Sequence, residues 1–201
     1  MTDGTQPKPA TAATIEANQS AVAGCDFTDE ADFARARRGM LSQLHPAVIS
    51  GANGKPIWDV SNFDFLEADA PDSVHPGLWR QARLNNIHGL FEVVPGIYQV
   101  RGYDISNISF IRSDTGWIVI DPLTVAETAA AARQLIDEQF GRLPIVAVIY
   151  THSHADHYGG IRGIVTDEEV ASGTIRIIAP AGFLEAAVSE NVTAGPAMTR
   201  R

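Results

Sequence analysis

The chain has 201 residues, of which 45% are hydrophobic and 19% are charged, with 17 Gly and 11 Pro. This composition predicts a globular protein with one ordinary domain and at most a small second one, and it excludes disordered, collagen-like and coiled-coil chains. Fifteen Lys and Arg against 24 Asp and Glu give a formal net charge of −9, which disfavours nucleic acid and anionic membrane surfaces as partners.

The first half of the chain is rich in turn-forming residues and predicts few regular elements. Residues 1–10 predict a loose leader, and the Ala-rich residues 12–22 predict a short helix. Thr28 precedes two acidic residues, so it predicts the N-cap of a second helix that ends near Met40. Residues 50–76 follow with Gly, Asn and Pro at many positions, which is typical of extended and turning chain.

The second half is more regular, and its strand patterns come first in hairpins and then alternate with helices. Thr124 and Glu127 predict a capping box, in which each side chain accepts a free amide hydrogen at a helix start, and Gly141 predicts the end of that helix. This order of elements indicates an α/β layer structure. The other predicted elements are strands at residues 96–100, 108–111, 117–121, 145–150 and 175–179, a short helix near 161–165 and a helix from 181 onward.

These patterns divide the chain into a leader and arm, residues 1–89, and the first part of a larger domain, residues 90–201. The longest apolar run has six residues, whereas a membrane span needs about 20. The N-terminal residues lack the apolar core of a signal peptide, so we expect a cytoplasmic protein. A natural start farther upstream with an export signal would instead predict a periplasmic or secreted one.

The segment THSHADHYGG at residues 151–160 contains three of the six histidines of the chain. It follows the predicted strand 145–150, so it lies at the carboxyl end of the sheet, where α/β proteins bind ligands. His152 and His154 can point the same way in extended backbone and share one ion, and Asp156 and His157 can supply a second. Imidazole nitrogen and carboxylate oxygen suit zinc. The alternatives are a polar loop in which the histidines occur by coincidence and a network of His–Asp hydrogen bonds without a metal.

This HxHxDH loop resembles the metal-binding motif of the metallo-β-lactamase superfamily, whose fold is an αββα sandwich with two metal ions. The resemblance implies that His152 and His154 are ligands of the first metal, and Asp156 and His157 ligands of the second. It also implies that Asp121, at the end of an earlier strand, supports the histidine loop without being a ligand. The alternative role for Asp121 is a turn residue before Pro122.

Longer segments resemble the alkyl sulfatases of this superfamily, the enzymes that degrade dodecyl sulfate. The main one is LWRQARLNNIHGLFEV at residues 78–93, and residues 96–102, 115–124 and 190–195 continue the similarity. Glu190 opens the last segment but is not assigned as a ligand. The resemblance covers the chain from Thr11 onward.

The resemblance implies a metal-dependent hydrolase that cleaves alkyl sulfate esters to an alcohol and inorganic sulfate. It also implies two zinc ions and a homodimer in the complete enzyme. Such enzymes complete the metal site with carboxylates and a histidine farther along the chain, whereas no histidine follows His157 here. The sequence is therefore expected to be an N-terminal portion of a larger enzyme, with an incomplete sandwich.

Two alternative functions remain open from the sequence. The chain could be a truncated metal-binding module without catalytic activity, because the downstream part of the metal site is missing. It could also be a metallo-β-lactamase-fold hydrolase with another ester, a lactam or a thioester as substrate. Release of sulfate from dodecyl sulfate distinguishes these possibilities.

Overall fold

The computed structural model describes residues 8–198. The predicted leader, residues 1–10, therefore lies largely outside the described residues. The α-helices of the described part are α1 Ala12–Ala21, α2 Ala31–Arg37, α3 Pro76–Asn85, α4 Ala126–Phe140, α5 Asp167–Ala171, α6 Phe183–Val188 and α7 Gly195–Met198.

Nine short strands are assigned among the same residues: β1 Met40–Ser42, β2 Val48–Ser50, β3 Pro56–Asp59, β4 Gly89–Val94, β5 Ile97–Arg101, β6 Ile108–Arg112, β7 Trp117–Ile120, β8 Ile145–Ile149 and β9 Arg176–Ile178. Three 3₁₀ segments cover Val60–Glu67, Ala155–His157 and Ile161–Gly163, and a π-helical turn covers Ser189–Thr193. None of the helices in the described range is both long and apolar enough to cross a bilayer.

The chain divides into two compact units. One unit contains Asn62–Ile87 and the described residues up to Arg37. The other unit contains Arg38–Ser61 and the described residues from His88 onward. The division predicted from the sequence, a leader and arm at residues 1–89 and the first part of a domain at residues 90–201, stays a prediction.

The first unit packs helices α2 and α3 around the buried side chain of Phe33. The guanidinium carbons of Arg80 and Arg83 lie 5.1 Å and 5.3 Å from the centre of its ring. Arg80 also forms an ion pair with Asp32, with 3.1 Å between Nη1 and Oδ2. The predicted helix at residues 12–22 is confirmed by α1. The prediction of a helix from Thr28 to Met40 is wrong at both ends, because α2 covers only Ala31–Arg37 and Met40 begins β1.

The second unit is built on a mixed sheet of seven strands in the order β1-β4-β5-β6-β7-β8-β9. Pairing is antiparallel from β1 to β7 and parallel from β7 to β9. The antiparallel part follows from short connections such as the turn at residues 113–116, where the Ser113 amide donates to the Gly116 carbonyl at 2.8 Å. The parallel part follows from α4, which returns the chain to the same end of the sheet.

Helix α4 covers one face of this sheet and forms the core with it. Its buried residues are Thr128, Ala129, Ala132, Leu135 and Ile136, and this stripe agrees with the predicted helical spacing. On the sheet, Phe110, Trp117 and Val119 are fully buried. The predicted α/β fold class is thus confirmed, and the parallel pair β7 and β8 places the residues that follow both strands at one edge.

The predicted capping box of α4 is wrong. The helix begins at Ala126 after Val125, and its N-cap makes no side-chain hydrogen bond. The Thr124 hydroxyl instead donates to Asp104 at 2.5 Å, because the loop between β5 and β6 brings that carboxylate to the helix start. A capping box does form at α5, where Thr166 and Glu169 accept each other's amide hydrogens.

Candidate metal centre

Two neighbouring strand ends supply the residues of the candidate site. Asp121 follows β7, and residues 151–157, here called the metal loop, follow β8. The Asp121 amide donates to the Ile149 carbonyl at 3.0 Å, which continues the strand pairing up to the site. Asp121 then leaves the strand direction at φ 55°, a left-handed conformation that Asp tolerates better than most residues. This turn directs its carboxylate towards the metal loop.

The Asp121 carboxylate holds the metal loop through three hydrogen bonds. Its Oδ1 accepts the Thr151 amide at 2.8 Å, and its Oδ2 accepts the Thr151 hydroxyl at 2.6 Å. Oδ2 also lies 2.8 Å from His157 Nδ1, and the Asp121 side chain is only 10% exposed. Because a carboxylate only accepts, His157 donates from Nδ1 in this contact, which leaves Nε2, 3.2 Å from Asp156 Oδ2, as the ring atom that would face a metal.

Thr151 orients His152 in the same way. The Thr151 hydroxyl lies 2.9 Å from His152 Nδ1. Since this hydroxyl donates its single proton to Asp121, it accepts the proton of His152 Nδ1. Asp121 and Thr151 therefore leave Nε2 of both His152 and His157 free to bind a cation.

The metal loop brings its three imidazoles together. The ring centre of His152 lies 4.0 Å from that of His157 and 4.6 Å from that of His154. Asp156 Oδ2 is 3.2 Å from His157 Nε2. Each of the five sequence-predicted site residues thus contacts another member of the set.

The donor set fits a metal ion of the zinc type. Ligand atoms of Asp121, His152 and His157 all lie within 4.8 Å of one another. Two ligands at about 2.1 Å from a tetrahedral zinc are about 3.4 Å apart. The 3.2 Å between Asp156 Oδ2 and His157 Nε2 is close to that separation. His154 and Asp156 lie outside this group of three, but each contacts one of its members. Which residues bind the metal, and which only hold the ligands in place, therefore stays a proposal.

Gly159, Gly160 and Gly163 pack the chain after the metal loop against the residues that follow β7. A Cβ on Gly159 would lie 2.3 Å from the Thr124 carbonyl oxygen, and one on Gly160 would lie 2.2 Å from that of Pro122. Gly160 has φ −84°, which any residue adopts, so its backbone conformation does not require glycine. Close backbone approach is the physical reason for these glycines.

Asp104 and Ser106 fix the loop between β5 and β6 beside the site, and sequence reasoning missed both. Asp104 is buried and accepts hydrogen bonds from the Thr124 amide at 3.1 Å, from the Thr124 and Thr128 hydroxyls and from the Ile105 amide. Ser106 Oγ donates to the Asp156 carbonyl oxygen in the metal loop. Thr124 and Thr128 lie 20 and 24 residues from Asp104, and Asp156 lies 50 residues from Ser106, so no local pattern identifies these contacts.

Replacing Asp104 by alanine should lower the free energy of unfolding by about 2–3 kcal/mol, because it leaves several buried donors without an acceptor. Chemical denaturation of the variant and of the parent chain measures this difference. Asp114→Ala, at an exposed turn position, is the matched control and should change stability little. An Asp104→Ala variant as stable as the parent would contradict the anchoring role.

Aromatic side chains pack beneath the metal loop. Tyr150 stacks on Phe183 at 5.3 Å between ring centres, and Tyr158 contacts both rings. Burial, together with the neighbouring Tyr158, raises the pKa of Tyr150 to about 12. Tyr150 is therefore a neutral packing residue at physiological pH.

Glu190 also lies beside the metal loop, although the sequence analysis did not assign it as a ligand. Its Oε1 lies 3.5 Å from His154 Nε2. The neighbouring Asn191 donates from Nδ2 to the Tyr158 hydroxyl at 3.0 Å and to the Ala187 carbonyl at 2.9 Å. In the sequence, residues 190–195 are noted only because they resemble alkyl sulfatases. That resemblance assigned no role to Glu190 or Asn191.

The part of the chain that carries this site is similar to known proteins. Residues 101–196 match the family model of the metallo-beta-lactamase superfamily. The chain is 48% identical over 195 residues to an (R)-specific secondary-alkylsulfatase of Pseudomonas sp., which covers 96% of this chain and 29% of that protein. It is 46% identical over 189 residues to the alkyl/aryl-sulfatase BDS1 of Saccharomyces cerevisiae, with 94% and 29% covered.

A solved structure gives the same result for the fold. The stereoselective inverting sec-alkylsulfatase Pisa1 from Pseudomonas sp. superposes with a TM-score of 0.90 at 47% identity, covering 97% of this chain and 31% of that one. The chain thus spans about 30% of the length of these relatives. The predicted resemblance to alkyl sulfatases of the metallo-β-lactamase superfamily is confirmed, and the chain corresponds to a portion of such a protein.

Proposed function

We propose that this chain, which carries a metallo-β-lactamase domain and is 46–49% identical to alkylsulfatases, is part of a metal-dependent hydrolase that cleaves alkyl sulfate esters. The products are an alcohol and inorganic sulfate. The observation that carries the proposal is the gathering of His152, His154, Asp156 and His157 in the loop after β8, with the His152 and His154 ring centres 4.6 Å apart and Asp156 Oδ2 3.2 Å from His157 Nε2. The substrate class comes from the similarity to the named alkylsulfatases.

The residues of the metal loop divide into two pairs. His152 and His154 would hold one zinc ion, and Asp156 and His157 a second, with further ligands from the longer protein. When bound, such ions act as Lewis acids, which lower the pKa of a bound water and polarise sulfate oxygens. Asp121 would not be a ligand, because its carboxylate already accepts three hydrogen bonds.

The chain's own residues prepare the site before any substrate arrives. Asp121 and Thr151 keep the protons of His157 and His152 on Nδ1, so both rings present a lone pair on Nε2. The Ser106 hydroxyl donates a hydrogen bond to the Asp156 carbonyl oxygen, which fixes the backbone of the metal loop at that residue. This order limits the conformational entropy that is lost when the ligands converge on an ion.

The partners of the complete enzyme follow from the same proposal. An alkyl sulfate is a small anionic molecule, so the cations of the site would supply the attraction that a chain of net charge −9 lacks. The acidic balance also argues against nucleic acid as a partner. A homodimer is proposed for the full-length protein from the resemblance alone.

Zinc retention tests the metal site directly. The purified chain should keep about one to two zinc equivalents after dialysis, as expected for a two-metal site that lacks some ligands. The double variant His152→Ala and His154→Ala should keep none, whereas His45→Ala, at an exposed histidine outside the loop, should match the parent. Equal zinc in the parent and the double variant would refute the site.

Sulfate release tests the reaction. The zinc-loaded chain is incubated with dodecyl sulfate, and inorganic sulfate is measured against the metal-free chain and the double variant. Zinc-dependent release supports the proposed hydrolase. Zinc binding without any release supports the second function, a metal-binding portion that is silent by itself, which the coverage of about 30% of the relatives favours.

A further inference from the structure

A cavity of about 490 Å³ lies in the second unit, between α4, the connection from α4 to β8 and the segment that leads into α5. The charged residues that line it are Arg133, Arg142, Arg162 and Glu169, and it is here called the arginine cavity. Sites for small organic molecules have volumes of about 300–1,000 Å³. The arginine cavity is therefore large enough for an organic ligand rather than a single inorganic ion.

The arginine cavity lies at the opposite end of β8 from the metal loop. Leu143 and Pro144 line the cavity and directly precede β8, whereas the metal loop follows this strand. A strand of five residues is about 16 Å long. The described residues that line the cavity include none of the metal loop. A ligand in this cavity would therefore be separate from the candidate metal centre.

Arg133 is a fixed cation in the wall of the cavity. Its side chain is only 12% exposed, and its Nε donates to Asp137 Oδ1 at 2.8 Å. Its Nη2 donates to the Leu143 carbonyl oxygen. Because these two bonds hold the planar guanidinium group in one orientation, its Nη1 remains for an acceptor from another molecule.

Arg142 and Arg162 are exposed cations of the same cavity. Arg162 bonds to Asp167 through Nε at 3.1 Å and through Nη2 at 3.2 Å, and the two side chains are 75% and 79% exposed. An ion pair this exposed contributes little free energy, so Arg162 can turn towards a ligand at small cost. Arg142 lies in the connection between α4 and β8, where its side chain is exposed.

Glu169 is the one carboxylate among the described residues that line the cavity. Its Oε2 accepts the Thr166 amide at 2.8 Å and the Thr166 hydroxyl at 2.9 Å in the capping box of α5. These bonds, and to a lesser extent the charges of Arg133 and Arg142, lower the pKa of Glu169. The lining thus has a formal charge of +2 in a chain of net charge −9, although Asp137 and Asp167 pair with two of its arginines from outside the lining.

Apolar side chains complete the lining. Leu143, Ile164 and Val165 contact the same cavity as the arginines. An inorganic ion would use only the charged part of such a site. A molecule with an anionic group and a small apolar group would use both parts.

We propose that the arginine cavity binds a small organic anion whose phosphate or sulfate ester group contacts the arginines. The apolar part of this ligand contacts Leu143 and Ile164. Guanidinium groups donate pairs of hydrogen bonds to such oxyanions, and these charge-assisted bonds are roughly twice as strong as neutral ones. The inference does not depend on the metal site or on the proposed hydrolysis.

Binding is measured by ¹H–¹⁵N NMR titration of the purified chain with phenyl phosphate and, separately, with phenyl sulfate at constant ionic strength. We expect saturable shifts of the Leu143 and Gly163 amides, both of which line the cavity. Phenol, which lacks the anionic group, should leave these amides unshifted. The tighter of the two esters identifies the anionic group that the cavity prefers.

Two variants with opposite expected effects test the role of charge. Arg142→Gln should weaken binding by about tenfold, because it removes a charge-assisted hydrogen bond. Glu169→Gln should tighten binding by about threefold, because it removes a negative charge while glutamine can still complete the capping box. Arg176→Gln, at an exposed arginine of β9 outside the lining, is the matched control and should bind like the parent. Circular dichroism confirms that each variant is folded.

Four outcomes overturn the inference. Absence of saturable shifts at Leu143 and Gly163 means that the arginines serve only the ion pairs of the fold. Parent-like binding in Arg142→Gln, or equal weakening in Arg176→Gln, excludes a specific anion site in this cavity. Equal shifts with phenol reduce the site to an apolar cavity. Shifts confined to the metal loop overturn this inference but agree with the proposed function, so the two proposals fail separately.

Discussion

Replacing Asp121 by asparagine should weaken zinc binding by about 10–100-fold, although the new side chain has almost the same shape. The wild-type carboxylate accepts hydrogen bonds from the Thr151 amide, the Thr151 hydroxyl and His157 Nδ1. An asparagine amide has one oxygen, so its NH₂ group must face some of these donors. The change that should weaken zinc binding most is at His157, whose Nδ1 contacts Asp121.

An NH₂ group opposite His157 Nδ1 favours the tautomer with the lone pair on Nδ1 and the proton on Nε2. Nε2 then cannot bind a metal, and the contact with Asp156 Oδ2 at 3.2 Å becomes an ordinary hydrogen bond. Asp121→Ala removes the same control of the ring without imposing the wrong tautomer. We therefore expect Asp121→Asn to bind zinc no better than Asp121→Ala.

Zinc competition titrations of both variants measure the effect, and ¹H–¹⁵N NMR reports the proton of His157. Asp114→Asn, in the exposed turn between β6 and β7, is the control for an Asp-to-Asn change that leaves the site intact. Parent-like affinity in Asp121→Asn would show that the carboxylate does not set the His157 tautomer. A variant that loses zinc while His157 keeps its Nδ1 proton would point to Asp121 as a ligand instead.

The parts of the fold that the sequence predicts well are those whose pattern is local. The continuous apolar run at residues 145–150 and the helical spacing of the apolar stripe on α4 are both local patterns, and both correspond to elements of the structure. The candidate site is predictable for the same reason, because four of its five residues lie within one loop. Asp121 joins them because β7 and β8 are parallel neighbours with carboxyl ends at one edge.

The errors come from side chains whose partners are distant in sequence. Thr124 and Glu127 have the spacing of a capping box. In the structure, however, the β5–β6 loop places Asp104 beside the start of α4, and the Thr124 hydroxyl donates its hydrogen bond to Asp104 instead. The sequence analysis did not predict the strands β1, β2 and β3, of three or four residues each, or the six-residue β4. β1 pairs with β4 across more than 45 residues of sequence, and a pairing that distant leaves no local signal in the chain.

A second large effect is expected from Gly160→Ala, because the new methyl group would meet backbone rather than flexible side chains. Its Cβ would lie 2.2 Å from the Pro122 carbonyl oxygen and 2.6 Å from that of Val125. The Gly160 amide also donates to the Leu123 carbonyl at 2.9 Å, so the segment cannot move away without losing that bond. We expect the free energy of unfolding to fall by about 3 kcal/mol.

A loss of that size corresponds to a decrease of about 6–12 °C in the melting temperature of a chain of this length, measured by circular dichroism. Gly195→Ala is the control, because among residues 8–198 no side chain or neighbouring backbone lies within 4 Å of its Cβ position. A parent-like melting temperature in Gly160→Ala would contradict the close approach. The same clash pushes the residues after the metal loop away from the segment that begins at Asp121, so zinc affinity should fall together with stability. Retained zinc affinity in the destabilised variant would show that Asp121 holds the metal loop without help from this packing.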